Sequence, residues 1–173
     1  MFGGSYLTAR PEEKPKYGAL NTLMDPLGVS STVPRFGNCF LILKREVKLR
    51  CTLSGKGSKG GNVNLGTLDS YRHCLMDYDD DDLTNVMEVS KSWAESGSRH
   101  PPPISYRHSF NNTAQTPYRE AQIHGDIVLS RDIEALVLHP SHIDSQWVQE
   151  AGSIFARMHK VRVDRVVGAS RWP

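Results

Sequence analysis

Hydrophobic positions along this chain change period several times, and each change predicts an element. The run at 36–43, FGNCFLIL, is almost continuously apolar, the pattern of a strand covered on both faces rather than of an exposed edge. Leu83, Val86, Met87, Ser90 and Trp93 recur at helical spacing behind an acidic run at 77–82, which suits the positive end of a helix dipole. Strand character returns at 118–123 and again, after a break at His124-Gly125-Asp126, at 127–129. Ala135-Leu136-Val137-Leu138 predicts a buried strand ending at Pro140. Trp147, Ala151, Ile154 and Met158 then mark the apolar face of a helix over 144–159, and Val161, Val163 and Val166-Val167 predict a closing strand.

Between these segments lie stretches without an apolar period. Residues 1–16 read as an irregular lead-in and 17–23 as a short helix or turn, followed by a Ser-rich loop to Pro34. The run SGKGSKGGNVNLG at 54–66 holds five glycines and predicts a loop. Residues 96–117 predict a long loop, because three successive prolines stop a helix and interrupt a ladder. Strands and helices are mixed without a regular βαβ repeat, so the expected class is α+β in a single domain over 1–173.

Composition narrows the function classes. At 173 residues the chain supports one ordinary core. The 21 Lys and Arg against 19 Asp and Glu leave a formal charge of +2, with no clustered basic face, which gives no nucleic-acid footprint. No stretch approaches a membrane span, and the first residues have neither a basic nor an apolar signal region. Cys39, Cys51 and Cys74 are odd in number and lack a CxxC pairing, so a reducing, cytoplasmic compartment is expected. Asn111-Asn112-Thr113 is a formal glycosylation acceptor that would need a secretory route.

The stretch with most chemistry is 118–125, YREAQIHG. On a strand its alternation puts Glu120, Gln122 and His124 on one side and Ala121 and Ile123 on the other. A carboxylate with amide and imidazole neighbours can stabilise a cation or accept a proton; the same alternation also describes an ordinary solvated strand face. Counting from Asp77, Asp79, Asp81, Asn85 and Glu88 fall at oxygen-ligand spacing of a calcium loop, but Asp82 replaces the turn glycine and the helix expected from 83 turns the ligands apart. That run reads as a solvated acidic helix start. The seven histidines form no metal grouping, and the Lys56–Lys59 glycine loop lacks the order of a phosphate-binding loop.

YREAQIHG, followed by LSRDIEALVLHP, together with KPKYGALN at 14–21 and PRFGNCFLILKREV at 34–47, resembles a largely bacterial and fungal family identified with the CteC-like mono-ADP-ribosyltransferases. These transfer ADP-ribose from NAD to a threonine hydroxyl of ubiquitin. The resemblance implies an ADP-ribosyltransferase fold of two small packed sheets with flanking helices, a paired Asp and Glu as catalytic signature, NAD as co-substrate and a protein substrate such as ubiquitin. Glu120 matches the glutamate, where a carboxylate stabilises the cation that develops as the nicotinamide–ribose bond breaks. Gln122 and His124 would support it, and Phe36, Gly37 and Ser58 would hold the cofactor. Gly57 stands where the family has its aspartate. The family also carries a cofactor-holding strand upstream of FGGSY, so the expectation extends to a fold lacking its first strand. An inactive or truncated transferase and a non-catalytic protein-binding module of the same fold are both open readings. So is the oligomeric state.

Overall fold

The computed structural model describes residues 4, 6–25, 27–29, 32–57, 64–96, 118–142 and 144–165. Among the described residues, two small sheets, three α-helices and short 3-10 turns make a mixed α+β architecture. The first sheet takes β1 (Lys16–Ala19), β5 (Glu120–Ile123), β3 (Cys51–Ser54) and β4 (Leu65–Gly66), side by side in that order and antiparallel throughout. The second takes β2 (Phe40–Leu43), β6 (Ile133–Leu138) and β7 (Arg162–Arg165), with β2 antiparallel and β7 parallel to β6. Helix α1 (Asp80–Ser96) comes between β4 and β5 in the chain, the short α2 (Leu129–Asp132) leads into β6, and α3 (Gln146–His159) makes the crossover from β6 to β7.

One face of the first sheet carries the main apolar cluster: Val47, Cys51, Leu53, Ala121 and Ile123, with Leu20, Leu43, Tyr71 and Ile127 packed against it. Leu43 belongs to β2, so this cluster is where the two sheets meet. In the second sheet the middle strand β6 buries Ile133, Ala135, Val137 and Leu138, which accounts for its nearly unbroken apolar sequence. Asp79 Oδ1 accepts the backbone N–H of Asp82 at 2.7 Å and so caps the start of α1, whose first turn holds Asp80, Asp81 and Asp82. The three cysteines are free thiols, and burial pushes the thiols of Cys51 and Cys74 up from their ordinary range.

Several expectations are corrected. Residues 17–23, expected as a helix or turn, include most of β1, a strand made by pairing with β5. Residues 127–129, expected as a strand, lead through loop into α2. The apolar run at 36–43 forms strand only from Phe40, and β2 is an edge with Leu41 exposed, not a strand covered on both faces. The helices depart from the expected faces to different degrees. In α1 Leu83 and Val86 of the expected face are half-buried, but the buried residue is Val89, and Met87, Ser90 and Trp93 are exposed. In α3 Val148 and Gly152 face the core, whereas Trp147, Ala151, Ile154 and Met158 point outward, with Trp147 73% and Met158 70% exposed. A face rotated by one residue keeps the helical period, so periodicity alone does not fix the phase. The long-loop expectation for 96–117 lies, from 97 onward, outside the described residues, as do Asn111 and Val166-Val167.

The sheets are tied by one carboxylate. Asp132, at the end of α2, accepts from Arg50 Nη2 at 2.9 Å, from the Val128 amide at 2.8 Å and from Arg131 at 2.7 and 2.8 Å. Its backbone oxygen accepts from Lys44 just past β2, at 2.8 Å. Arg50, immediately before β3, also donates to the carbonyl of His124 at 2.7 Å. The Arg131 guanidinium, working against burial and assisted by the Val128 amide and Arg50, holds the Asp132 carboxyl well below the usual carboxylate range.

A depressed carboxylate stabilises the fold at all pH above its unfolded value near ~4, and that contribution is lost as pH falls toward the folded value. Asp132→Asn is therefore expected to lower stability on the order of 2 kcal/mol at pH 7, with the gap to wild type narrowing below about pH 4 in thermal melts across pH. In α3, Val148→Ala should cost about 1–2 kcal/mol by urea unfolding, and Met158→Ser should stay within about 0.5 kcal/mol.

Candidate functional site

Strand β5 runs between β1 and β3, and its register decides what surrounds its polar face. Gln122 is opposite Tyr17 on β1 and Thr52 on β3, and Glu120 is opposite Ala19. Directly paired residues share a face, so Tyr17, Thr52, Glu120 and Gln122 lie together, opposite the apolar cluster. The expected alternation is present. The solvated strand face is not: Glu120 is 6% exposed and Gln122 wholly buried.

Buried polar groups need partners, and those of this face are mostly supplied from within it. Glu120 Oε1 accepts from Gln122 Nε2 at 2.6 Å, and its Oε2 accepts from the Tyr118 hydroxyl at 3.2 Å. Burial first, and then the negative charge of Glu120 and the bond to it, push the Tyr118 phenol up to about 12, with the positive charge of Arg35 opposing. Tyr118 therefore stays protonated and keeps donating at neutral pH.

His124, half-buried where the strand ends, has Tyr6 Oη 2.8 Å from Nδ1 and Thr52 Oγ1 2.6 Å from Nε2. Two hydroxyls can each donate or accept, so this arrangement suits either neutral tautomer and the imidazolium. Its backbone is fixed as well, with its N–H donating to Arg50 O at 3.0 Å. At the other end of β5, the buried Arg119 pairs with Asp82 of α1 and stacks on Tyr78, its guanidinium carbon 4.1 Å from the ring centroid.

The turn leaving β3 borders the same site. Ser54 Oγ donates to Lys56 O at 2.7 Å, which folds the chain back. A Cβ on Gly55 would lie 2.3 Å from Cys74 O, whereas one on Gly57 would lie 3.3 Å from the Tyr118 ring. Position 57 therefore abuts the residue that holds Glu120. Ser58 is outside the described residues.

Phe36 and Gly37 sit elsewhere. Phe36 is 68% exposed, and Gly37, at φ +87°, has open space where a Cβ would stand. Both line an open hollow of about 420 Å³ together with Leu136, Leu138, Trp147 and Phe155, to which β5 contributes no side chain. The link between the two places is Arg35, which stacks 4.7 Å over the Phe36 ring and whose charge reaches Tyr118.

The acidic run has other uses than a calcium loop. Asp77 pairs with Lys56 at 3.4 Å and accepts from Asn64 at 3.1 Å, Asp79 caps α1, and Asp82 pairs with Arg119. Asp82 is therefore a structural ion-pair partner, where a solvated helix start was expected. Among the described residues no group of three or more His, Cys, Asp or Glu is placed to hold a metal ion, and no helix is long and apolar enough to cross a membrane.

Sequence reasoning thus located Glu120, Gln122 and His124, which the fold brings together. It missed Tyr118, Thr52 and Tyr6. Tyr118 shares the parity of the motif and was legible in it; Thr52 and Tyr6 depend on strand register and on a distant turn, for which no local signal exists. The fold and this buried carboxylate face define a mixed α+β protein of two small sheets. Over residues 1–168 the chain matches the family described as protein of unknown function, DUF3626, and it belongs to that family. None of the curated proteins compared with it matches.

Because its neighbours are backbone and a short side chain, Gly55→Ala should cost about 2 kcal/mol or more by urea unfolding. Gly57→Ala, which meets only a ring edge, should cost about 1 kcal/mol or less.

Proposed function

We propose that this protein is an ADP-ribosyltransferase-like domain that transfers ADP-ribose from NAD to a hydroxyl group on a protein, ubiquitin being the first candidate acceptor. The observation that carries the reading is Glu120: a carboxylate 6% exposed on the central strand, with a separate donor on each oxygen. Such a group is already oriented and largely dehydrated, so its negative charge acts strongly on positive charge that develops beside it. NAD supplies the transferable ADP-ribosyl group and nicotinamide as leaving group.

The chain's own residues have separable tasks in this reading. Glu120 provides the stabilising charge. Gln122 and Tyr118 fix its carboxylate plane, and His124, held by Thr52 and Tyr6, stands at the strand end as a group able to exchange a proton with an acceptor hydroxyl. Phe36 and Gly37 would take part in holding NAD from the side of the Arg35 turn. Their placement on a separate hollow makes their role dependent on how far the dinucleotide extends. A cytoplasmic setting fits the three free thiols.

A second reading has its own support. Gly57 abuts Tyr118 where the transferase signature places an aspartate, and a site with that carboxylate replaced by glycine fits a protein-binding module that keeps the fold without the chemistry.

Calorimetric titration with NAD, followed by detection of ADP-ribosylated ubiquitin or other protein, separates the two. The transferase reading expects binding and transfer by wild type and a loss of transfer of about 100-fold or more in Glu120→Gln. Absence of NAD binding at millimolar cofactor, together with a measurable protein partner, would establish the module instead.

A further inference from the structure

Gln122 is a residue whose hydrogen bonding is left incomplete. Its side chain is wholly buried, yet Oε1 has no hydrogen-bond partner. Native interiors seldom leave such an atom without a role. The two ends of an amide are ordinarily hard to tell apart, but here the neighbour decides. Nε2 lies 2.6 Å from Glu120 Oε1, and an ionised carboxylate only accepts, so the amide must turn its nitrogen to Glu120 and its oxygen away. Thr52, directly across on β3, has its hydroxyl engaged with His124 Nε2. The same buried condition occurs at Arg119 Nε, Thr22 Oγ1 and Gln149 Oε1, none of which bonds to Glu120.

Carboxylate and amide oxygen, joined through one N–H, put two acceptors side by side with no donor aimed at a ligand from either group. Phosphate and carboxylate ligands are repelled by such a pair. A carboxamide brings an acceptor oxygen of its own alongside its N–H. Two neighbouring hydroxyls of a sugar ring bring one donor to each acceptor.

Resting on the NAD reading of the site, we infer that Gln122 Oε1 is a specificity-determining acceptor for the ribose hydroxyl adjacent to the one that Glu120 takes, so that the two residues together read a vicinal diol. Gln122 thereby both orients the carboxylate and selects the sugar, and ligands without one hydroxyl of that diol are discriminated against at binding.

The test is calorimetric binding of NAD and of two NAD analogues, each lacking one hydroxyl of the nicotinamide-side ribose, to wild type, Gln122→Leu and Gln122→Asn, with melting curves to confirm folding. Gln122→Leu should bind NAD about tenfold more weakly. One analogue should bind wild type about tenfold more weakly than NAD and lose nothing further in Gln122→Leu, and Gln122→Asn should fall between. Equal loss for all three ligands in Gln122→Leu would overturn the inference, because the residue would then act only by holding Glu120. Wild type that binds both analogues as tightly as NAD would overturn it without any variant. If wild type does not bind NAD, the cofactor reading falls and this inference with it; NAD binding that is indifferent to Gln122 removes the inference alone.

Discussion

The buried carboxylate of Asp132 is the constraint on which the arrangement depends. It accepts from a backbone amide of the 124–128 loop and from guanidinium groups on either side of it, while its own carbonyl takes the amide that follows β2. The second sheet is thereby fastened to the first through Arg50, and Arg50 also holds the His124 carbonyl. A buried ion pair stabilises little by itself, since desolvation offsets most of its attraction. Its worth here is geometric, because it sets the point at which β5 ends and the imidazole begins.

The start of β5 is secured by comparable means. Arg119 is buried between Asp82 and the Tyr78 ring, so an arginine from within the motif anchors the strand to α1 at one end, and Arg50 anchors it at the other. Between these anchors the strand has only four residues, Glu120 to Ile123, all of them buried. A polar face with little access to water has to satisfy itself, and that requirement draws in Tyr118, Thr52 and Tyr6 from three separate parts of the chain. The preorganisation of Glu120 is thus a product of burial, while its charge comes from the sequence.

Much of this is legible in the sequence. Period-two alternation in YREAQIHG gave the correct side for Glu120, Gln122 and Ala121, because strand parity is a local property of the backbone. What covers that side is a tertiary fact, so a buried face was legible only as an alternation. The apolar stripe of α3 had the right period and the wrong phase: Trp147 and Met158 carry more apolar surface than Val148 and Gly152, but the narrow residues let the helix approach Leu138 and Leu136 of β6. Even a Cβ at position 152 would lie 3.3 Å from the Leu138 side chain, so close approach outweighed side-chain size. The segment at 17–23 looked turn-like for a related reason. Gly18 and Ala19 have weak strand preference, and β1 forms because β5 offers it an edge.

Cys74 extends the consequences of this packing in another direction. Its side chain is fully enclosed, contacted through the spaces that Gly55 and Gly66 leave for the turn at Arg72–Asp77, and its thiol is held protonated by burial. Cys39, by contrast, is only partly covered. The chain thus carries an internal clock for its own opening: alkylating reagents meet Cys39 at once and Cys74 only when the Arg72–Asp77 turn lifts from β3. The delay between the two modifications measures how often the turn comes away from the apolar side of the first sheet, the side opposite the carboxylate.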